Sequence, residues 1–406
     1  MRAAAWWIAP SRLASLTLLL TMGGYAASDE CVENFDAAVD YFPEKVALRH
    51  ARSFAVEYRS HYKVLTVTDS TLAPGAPRDV VVLVQCGTPV PELVDELAGA
   101  TVVQIPVASI AANEDLSLYR SWLLGASDRV VGVGGEGIYT PELRARWDDR
   151  QVEAIGESFH GPPNYERLLD LRPGVVFLST ASLARSGAIA RARALGIPAV
   201  PSLSWSELTP LGQAEWVHHV ALFLNAEAAS NTVFDGIESR YLELSEAAKA
   251  QPKRPQLLWF DPGGQRDRWQ VPEANWIARL VSDAGGRTPW ADFDGDLTRL
   301  VTSEDILLRA AELDYLVTVT VALAEPDSAG VLERLPALRQ GRLYDVHRRS
   351  IPENDAYDWY ESAVVEVDRV LADLVALLHP PLMPSHQFLH LRPARPGSNG
   401  RPADGK

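Results

Sequence analysis

Beyond its first residues this chain has no apolar run of bilayer-spanning length, it contains only two cysteines and three methionines, and it is short of positive charge. Each shortage removes a class of protein. Without about 20 consecutive apolar residues, the body of the chain does not cross a membrane as a helix. Two cysteines build neither a zinc cluster nor a disulfide-dense scaffold. With 38 basic against 53 acidic residues the net charge is −15, so a phosphate backbone or an anionic membrane surface is no natural partner and nucleic acid is excluded. Signatures of catalysis are missing as well: there is no G-x-S-x-G elbow and no Cys–His or paired-carboxylate constellation. The nine histidines are scattered, and His218 and His219, adjacent on a helix, point to different faces, so no bare zinc or manganese site is expected.

What the chain does have begins at its start. Arg2 and Arg12 supply a positive start before a short apolar run, Leu13 to Met22, followed by small residues at Gly23–Ala27. That is the pattern of a secretory leader cleaved near Ala26 or Ala27. Export makes a Cys31–Cys86 disulfide the expected fate of two otherwise stray thiols. The rival reading of Cys31 as a lipidation site is weakened by Ser28, Asp29 and Glu30, which are not small apolar residues.

At 406 residues the chain is long for one core, and its patterning divides it. Residues 1–27 form the leader and 28–208 a first α/β lobe, in which FAVEYRSHYKVLTVT reads as two strands, DVVVLVQ and TVVQIP as buried strands, and PELVDELAG as a helix. Strands then alternate with helices, as in a mainly parallel sheet. Residues 209–250 are connecting helices: Thr209 is an N-cap with Pro210 at the first helical position, and Ala226–Lys249 is one long helix ended by the prolines of QPKRP. Residues 251–385 resume the alternation in a second lobe, closed by the helix YESAVVEVDRVLADLVALLHP. The Pro/Gly/Arg-rich residues 386–406 read as a disordered tail. NYERLLDLRPGVVFLST, from Asn164, and TSEDILLRAAELDYLVT, from Thr302, give each lobe the same helix–strand unit with a glutamate in its first turn, Glu166 and Glu304.

LLGASDRVVGVGG, ERLLDLRPGVVFLS, ALGIPAVP, the long helix, LLWFDPGG…WIARLVSDAGG and GRLYDV…VDRVLADLVALLHP, in that order, resemble the metal-chelate class of periplasmic substrate-binding proteins that serve ABC importers, the iron-siderophore, haem and vitamin B12 binders. The resemblance covers roughly residues 54–383. It implies two Rossmann-like lobes joined by a long rigid α-helix, a ligand held between them, little closure, no catalysis and no cofactor. It also implies a monomeric periplasmic protein whose partners are a metal chelate and an ABC permease with its ATPase. Glu166 and Glu304 stand where the family's permease-docking glutamates lie. The ligand is expected to be a ferric siderophore-type complex, with a corrinoid or haem as the alternative within the family and an exported enzyme or envelope interaction protein on the same scaffold as the alternative outside it.

Ligands of open α/β lobes meet the loops at the carboxyl ends of strands. Those loops are aromatic here. The first lobe offers Glu136, Tyr139, Trp205 and Glu207, and the second Arg266, Arg268, Trp269, Arg287, Trp290, Arg348, Tyr357, Trp359 and Tyr360, whose flat faces and donors suit a large anionic chelate. Trp259, inside an apolar strand, is expected in the core. GVGGEG, Gly132–Gly137, is no nucleotide loop, since no clean helix opens on the glycines.

Overall fold

The computed structural model describes residues 31–72, 75–157, 161–180, 182–262, 267–319 and 333–394. The leader and the chain from residue 395 therefore lie outside the described residues. Cys31 and Cys86 are joined, their Cα atoms 4.8 Å apart, which takes Cys31 from any lipid.

The first lobe carries two sheets. Strands β1 (Phe54–Tyr58), β2 (Tyr62–Thr68), β3 (Arg78–Gln85) and β4 (Thr101–Ile105) form one, in sequence order. The first three pair antiparallel and only β3–β4 is parallel, so the parallel pattern expected here is corrected at this end. The cause is connection length: three residues join β1 to β2, too few for a crossover. The helix expected in PELVDELAG is a single 3-10 turn, Asp95–Leu97, because only Leu97 is buried while Val94 stands open to solvent.

The second sheet of this lobe is wholly parallel. It contains β5 (Ile110–Ala112), β6 (Val130–Val133), β7 (Glu153–Ala154), β8 (Val175–Ser179) and β9 (Ala199–Ser202), in the order β7-β6-β5-β8-β9. The intervening helices are α1 (Asp115–Leu123), α2 (Pro141–Asp148), α3 (Tyr165–Leu171) and α4 (Gly187–Ala194). Strand order reverses between β5 and β8, and a crevice opens outside the carboxyl ends of strands at such a switch.

A strap precedes both sheets. Its residues 49–53 point five successive N–H groups at two buried carboxylates: Arg49, His50 and Ala51 donate to Glu215 at 2.7, 2.7 and 2.5 Å, and Arg52 and Ser53 to Glu207 at 2.9 and 2.8 Å. The Trp216 indole completes Glu207 at 2.9 Å. Glu215 closes α5 (Pro210–Glu215), and α6 (Val217–Leu224) follows after a bend at the fully buried Trp216, so the single helix expected here is two. Thr209 caps α5 as expected, accepting from Gly212 N–H at 3.0 Å.

Helix α7 (Glu227–Lys249) is about 34 Å long at 1.5 Å per residue. Lys63 of β2, fully buried, fastens its start to the first lobe by bonding Leu222 O and Asn225 Oδ1 at 2.9 Å each and Glu227 at 2.5 Å. Farther along, Arg240 pairs with Asp368 at 2.6 Å and Tyr241 donates to Asp283 at 2.6 Å, both in the second lobe. Phe234, Ile237, Tyr241 and Ala248 form its apolar stripe and enter the second core.

The second lobe's sheet has the order β12 (Thr298–Thr302), β11 (Arg268–Pro272), β10 (Leu257–Pro262), β13 (Tyr315–Thr318), β14 (Leu343–Asp345), then Arg392–Pro393. Strands β10, β13 and β14 are parallel, flanked by α8 (Trp276–Asp283) and α9 (Ser303–Leu308). The closing helix begins only at Val367, after Asp358–Tyr360 have formed a 3-10 turn and Glu361 has reached across to the other lobe. The expected disorder is corrected for residues 386–394, the rest of that segment lying outside the described residues: Asp373 accepts backbone N–H groups of Leu389, His390 and Leu391 and bonds the His386 ring, and this clamp leads the chain into its edge strand.

Replacing Glu215 by Leu strands three strap N–H groups, a loss of roughly 3–5 kcal/mol. Urea unfolding would read that loss, and limited proteolysis would release the strap from the variant before the lobes are cut. An intact strap at wild-type stability refutes the assignment.

Candidate ligand-binding cleft

Strands β5, β7, β8 and β9 all end at one place. Asn113, Glu114, Asp115 and Leu116 follow β5, Glu157 follows β7, Ser179 and Thr180 close β8, and Ser204 and Trp205 follow β9; with Tyr360 and Val364 of the second lobe they line a cavity of about 500 Å³. Such a volume lies within the range of small-molecule sites. Local hydrogen bonds set its floor. Asn113 Oδ1 accepts from Ser179 N–H at 2.9 Å, bridging the switch point, and Ser202 and Ser117 hydroxyls donate to Glu114. Trp205 donates to Thr180 O at 2.9 Å, which holds an indole still 39% exposed against the wall.

The lobes meet beside this cavity. Glu361, buried, accepts from Thr140 N–H at 2.7 Å and from Tyr139 N–H and the Thr140 hydroxyl. The Tyr119 hydroxyl on α1 donates to Glu366 at 2.7 Å. Arg349 pairs with Asp358 at 2.8 Å and lies over the Tyr139 ring, 5.3 Å from its centroid. The glycine turn Gly134–Gly137 is shaped by close approach: a Cβ on Gly135 would sit 2.5 Å from Glu157 Oε1, and one on Gly137 would sit 3.1 Å from Asp355 O across the interface.

Burial and like charge dominate the electrostatics. Burial pushes the Glu361 carboxyl up to about 7, against the hydrogen bonds from Thr140 and Tyr139 that pull it down. Asp115 is raised well above the usual carboxylate range, by burial first and then by Glu361, Glu114 and Glu157. Tyr360 is pushed up to about 12 by burial and by Asp261.

Of the residues expected at the ligand, Trp205 and Tyr360 are on the cavity wall. Tyr139 and Tyr357 are half-buried at its margin, Tyr139 under Arg349 and Tyr357 with its ring 4.7 Å from His347 and 6.4 Å from Tyr360. Others are placed elsewhere. Glu207 is the buried strap clamp, raised by burial and lowered again by its donors. Trp269 is core, bonded to Ser303 Oγ at 2.9 Å, and Trp359 is core with Trp259 and Trp276. Trp290 packs on the third core cluster under Arg309, while Glu136, Arg268, Arg287 and Arg348 face solvent. Arg266 lies outside the described residues. Asn113, Glu114, Asp115 and Glu157 were missed because the aromatic signal was followed; the strand-end rule applied to IAANED finds the first three. His218 and His219 are buried, His218 against Ser230 and His219 among Trp216, Phe54 and Phe177, and among the described residues no group of His, Cys, Asp and Glu has the arrangement of a metal site.

Two α/β lobes bridged by a spine helix, with one cavity at the strand ends between them, define a two-lobed ligand-capturing protein. The chain belongs to the periplasmic binding protein family, whose sequence profile matches residues 117–349. Its fold is similar to that of the periplasmic haem-binding protein RhuT from Roseiflexus, in apo form, with a TM-score of 0.53 and 20% identity over 67% of this chain and 98% of that one. A periplasmic haem-binding protein from Pseudomonas aeruginosa gives a TM-score of 0.51 and 16% identity, covering 70% and 97%. An uncharacterised lipoprotein of Methanocaldococcus jannaschii is 24% identical over 72% of this chain and 70% of its own length. No helix among the described residues is long and apolar enough to cross a membrane.

Because the folded Glu361 carboxyl titrates near 7 rather than its ordinary 4.5, its contribution to stability is full below about pH 4.5 and is lost as pH rises through 7. Comparing urea unfolding of wild type and Glu361→Gln from pH 4.5 to 8 should show the wild type losing on the order of 3 kcal/mol relative to the variant. A difference that does not vary with pH refutes this.

Proposed function

We propose that this protein is the solute-binding component of an ABC importer. It is exported through a cleaved leader, works as a monomer in the periplasm, captures a metal chelate in the interlobe cleft and delivers it to the permease. It performs no chemistry on its cargo. The observation that carries the reading is the cavity of about 500 Å³ where four parallel strands of one lobe end against Tyr360 and Val364 of the other. Its wall offers both an exposed indole and an aromatic rim, the surfaces that bury the organic shell of a chelate. The proposed cargo is a ferric siderophore-type complex; the fold shared with haem-binding proteins keeps haem, and with it a corrinoid, as the alternative.

Delivery is assigned to Glu166 and Glu304. Each lies in the first turn of a helix that runs back into a parallel strand, α3 into β8 and α9 into β13, so both helix starts face the cleft edge of their lobes. Asn164 caps the one helix and a Thr302–Asp305 capping box the other, which leaves both exposed glutamates without a hydrogen bond or ion pair to any described residue. A helix start favours a negative charge by about 0.3–1 kcal/mol, and that does not occupy the carboxylate. The pair is free to meet arginines of a permease, with helix α7 holding the spacing between them.

Titration with ferric siderophore complexes should quench tryptophan fluorescence, and Trp205→Phe should remove a large part of the quench; absence of binding by any chelate refutes the reading. Glu166→Lys combined with Glu304→Lys should abolish uptake in cells and leave chelate affinity unchanged. Loss of affinity in that double variant would remove the docking role.

A further inference from the structure

On its described wall, the cleft carries charge opposite to what an anionic cargo needs. Three of the described residues on its wall, Glu114, Asp115 and Glu157, are acidic, and none is Lys, Arg or His. Asp115 opens α1 and makes no hydrogen bond or ion pair with any described residue, although the floor around it is otherwise well bonded. Among the described residues, every charged group acting on it is another carboxylate: Glu361 from the second lobe, Glu114 beside it, and Glu157 beyond β7. Arg120, the one buried guanidinium of α1, is directed to the Gln213 carbonyl, 3.5 Å away, and its charge acts on Glu114. Basic side chains gather instead in a separate depression of about 310 Å³, where Arg49, Arg52 and Arg279 share no wall residue with the cleft.

We infer that the cleft selects a cationic metal complex, one whose buried face carries positive charge, with Asp115 as its principal counter-charge. This rests on the reading of the cleft as a chelate site and narrows it. Bringing an anion against Asp115 and its acidic neighbours meets both desolvation and repulsion, whereas a cation supplies the counter-charge that no described residue gives Asp115. Within the siderophore reading it points to positively charged hydroxamate-type complexes and away from polyanionic catecholates. Within the alternative it favours a corrinoid cation over a haem bearing propionates.

The linked proton behaviour gives an independent signature. A carboxyl raised in the empty cleft must give up its proton to serve as counter-charge, so cation binding releases protons and tightens as pH rises; anion binding would take protons up and weaken. The groups facing Asp115 in this titration are Glu114, Glu157 and Glu361, and Glu361 itself is raised in the same direction.

The test is calorimetric titration of the purified protein from pH 5 to 8 with ferrioxamine B, a monocationic ferric complex, and aquacobinamide, against a trianionic ferric tris-catecholate and haemin. One or both cations should bind, with affinity rising with pH and protons released, and anions should bind at least about 100-fold more weakly. Asp115→Asn should weaken cation binding about tenfold, a change of about 1.4 kcal/mol, and flatten the pH profile. The wild-type profile stands alone if that variant does not fold. Tight binding of an anionic chelate that strengthens at low pH or in Asp115→Asn overturns the charge assignment and leaves the chelate reading intact. Failure of all four complexes overturns both.

Discussion

The carboxylate of Glu361 belongs to one lobe and is bonded by the other, and the geometry of the cleft follows from that. Three donors from Tyr139 and Thr140 converge on it, and a carboxylate in such a place is acceptable only while every donor stays in position. Separating the lobes would take all three donors from it and let water into the seam. The Tyr119–Glu366 bond repeats the arrangement a short distance away. Together with α7, tied to the first lobe through Lys63 and to the second through Arg240 and Tyr241, these contacts set the spacing of the walls before any cargo arrives. A preorganised cleft spends little binding energy on closure.

The same device recurs wherever irregular backbone must be buried. Glu215 and Glu207 gather the strap's N–H groups, and Asp373 gathers those of the last segment before the edge strand. In each case a single acid supplies what a strand or helix would otherwise provide, partners for backbone donors away from water. An acidic composition therefore has an internal use here besides its effect on the surface.

Most of the architecture was legible because it rests on periodicity. The helix–strand units at Asn164 and Thr302, the 23-residue spine and the Thr209 cap are local patterns, and the structure contains them. The antiparallel start of the first sheet was written only in the three-residue connection after β1, and the late start of the closing helix only in contacts across the interface. In the cleft, sequence reasoning located Trp205 and Tyr360 but gave too much weight to aromatic residues as such. Trp269 and Trp359 carry the same signal and fill cores, because whether a ring near a strand end faces inward depends on neighbours far away in sequence, Ser303 for one, Trp259 and Trp276 for the other. Glu207 was misread for a related reason: its strap partners, Arg52 and Ser53, lie more than 150 residues earlier.

The strap lies wholly outside residues 117–349, the part of the chain shared with the family, yet both of its receiving carboxylates lie inside that part. Residue boundaries drawn from kinship therefore cut through a network drawn by hydrogen bonds. A gene fragment limited to the shared region would encode Glu215 without its three strap donors and Glu207 with the Trp216 indole but without Arg52 and Ser53. The segment and its two receptors are one physical unit, whatever the bounds of the family.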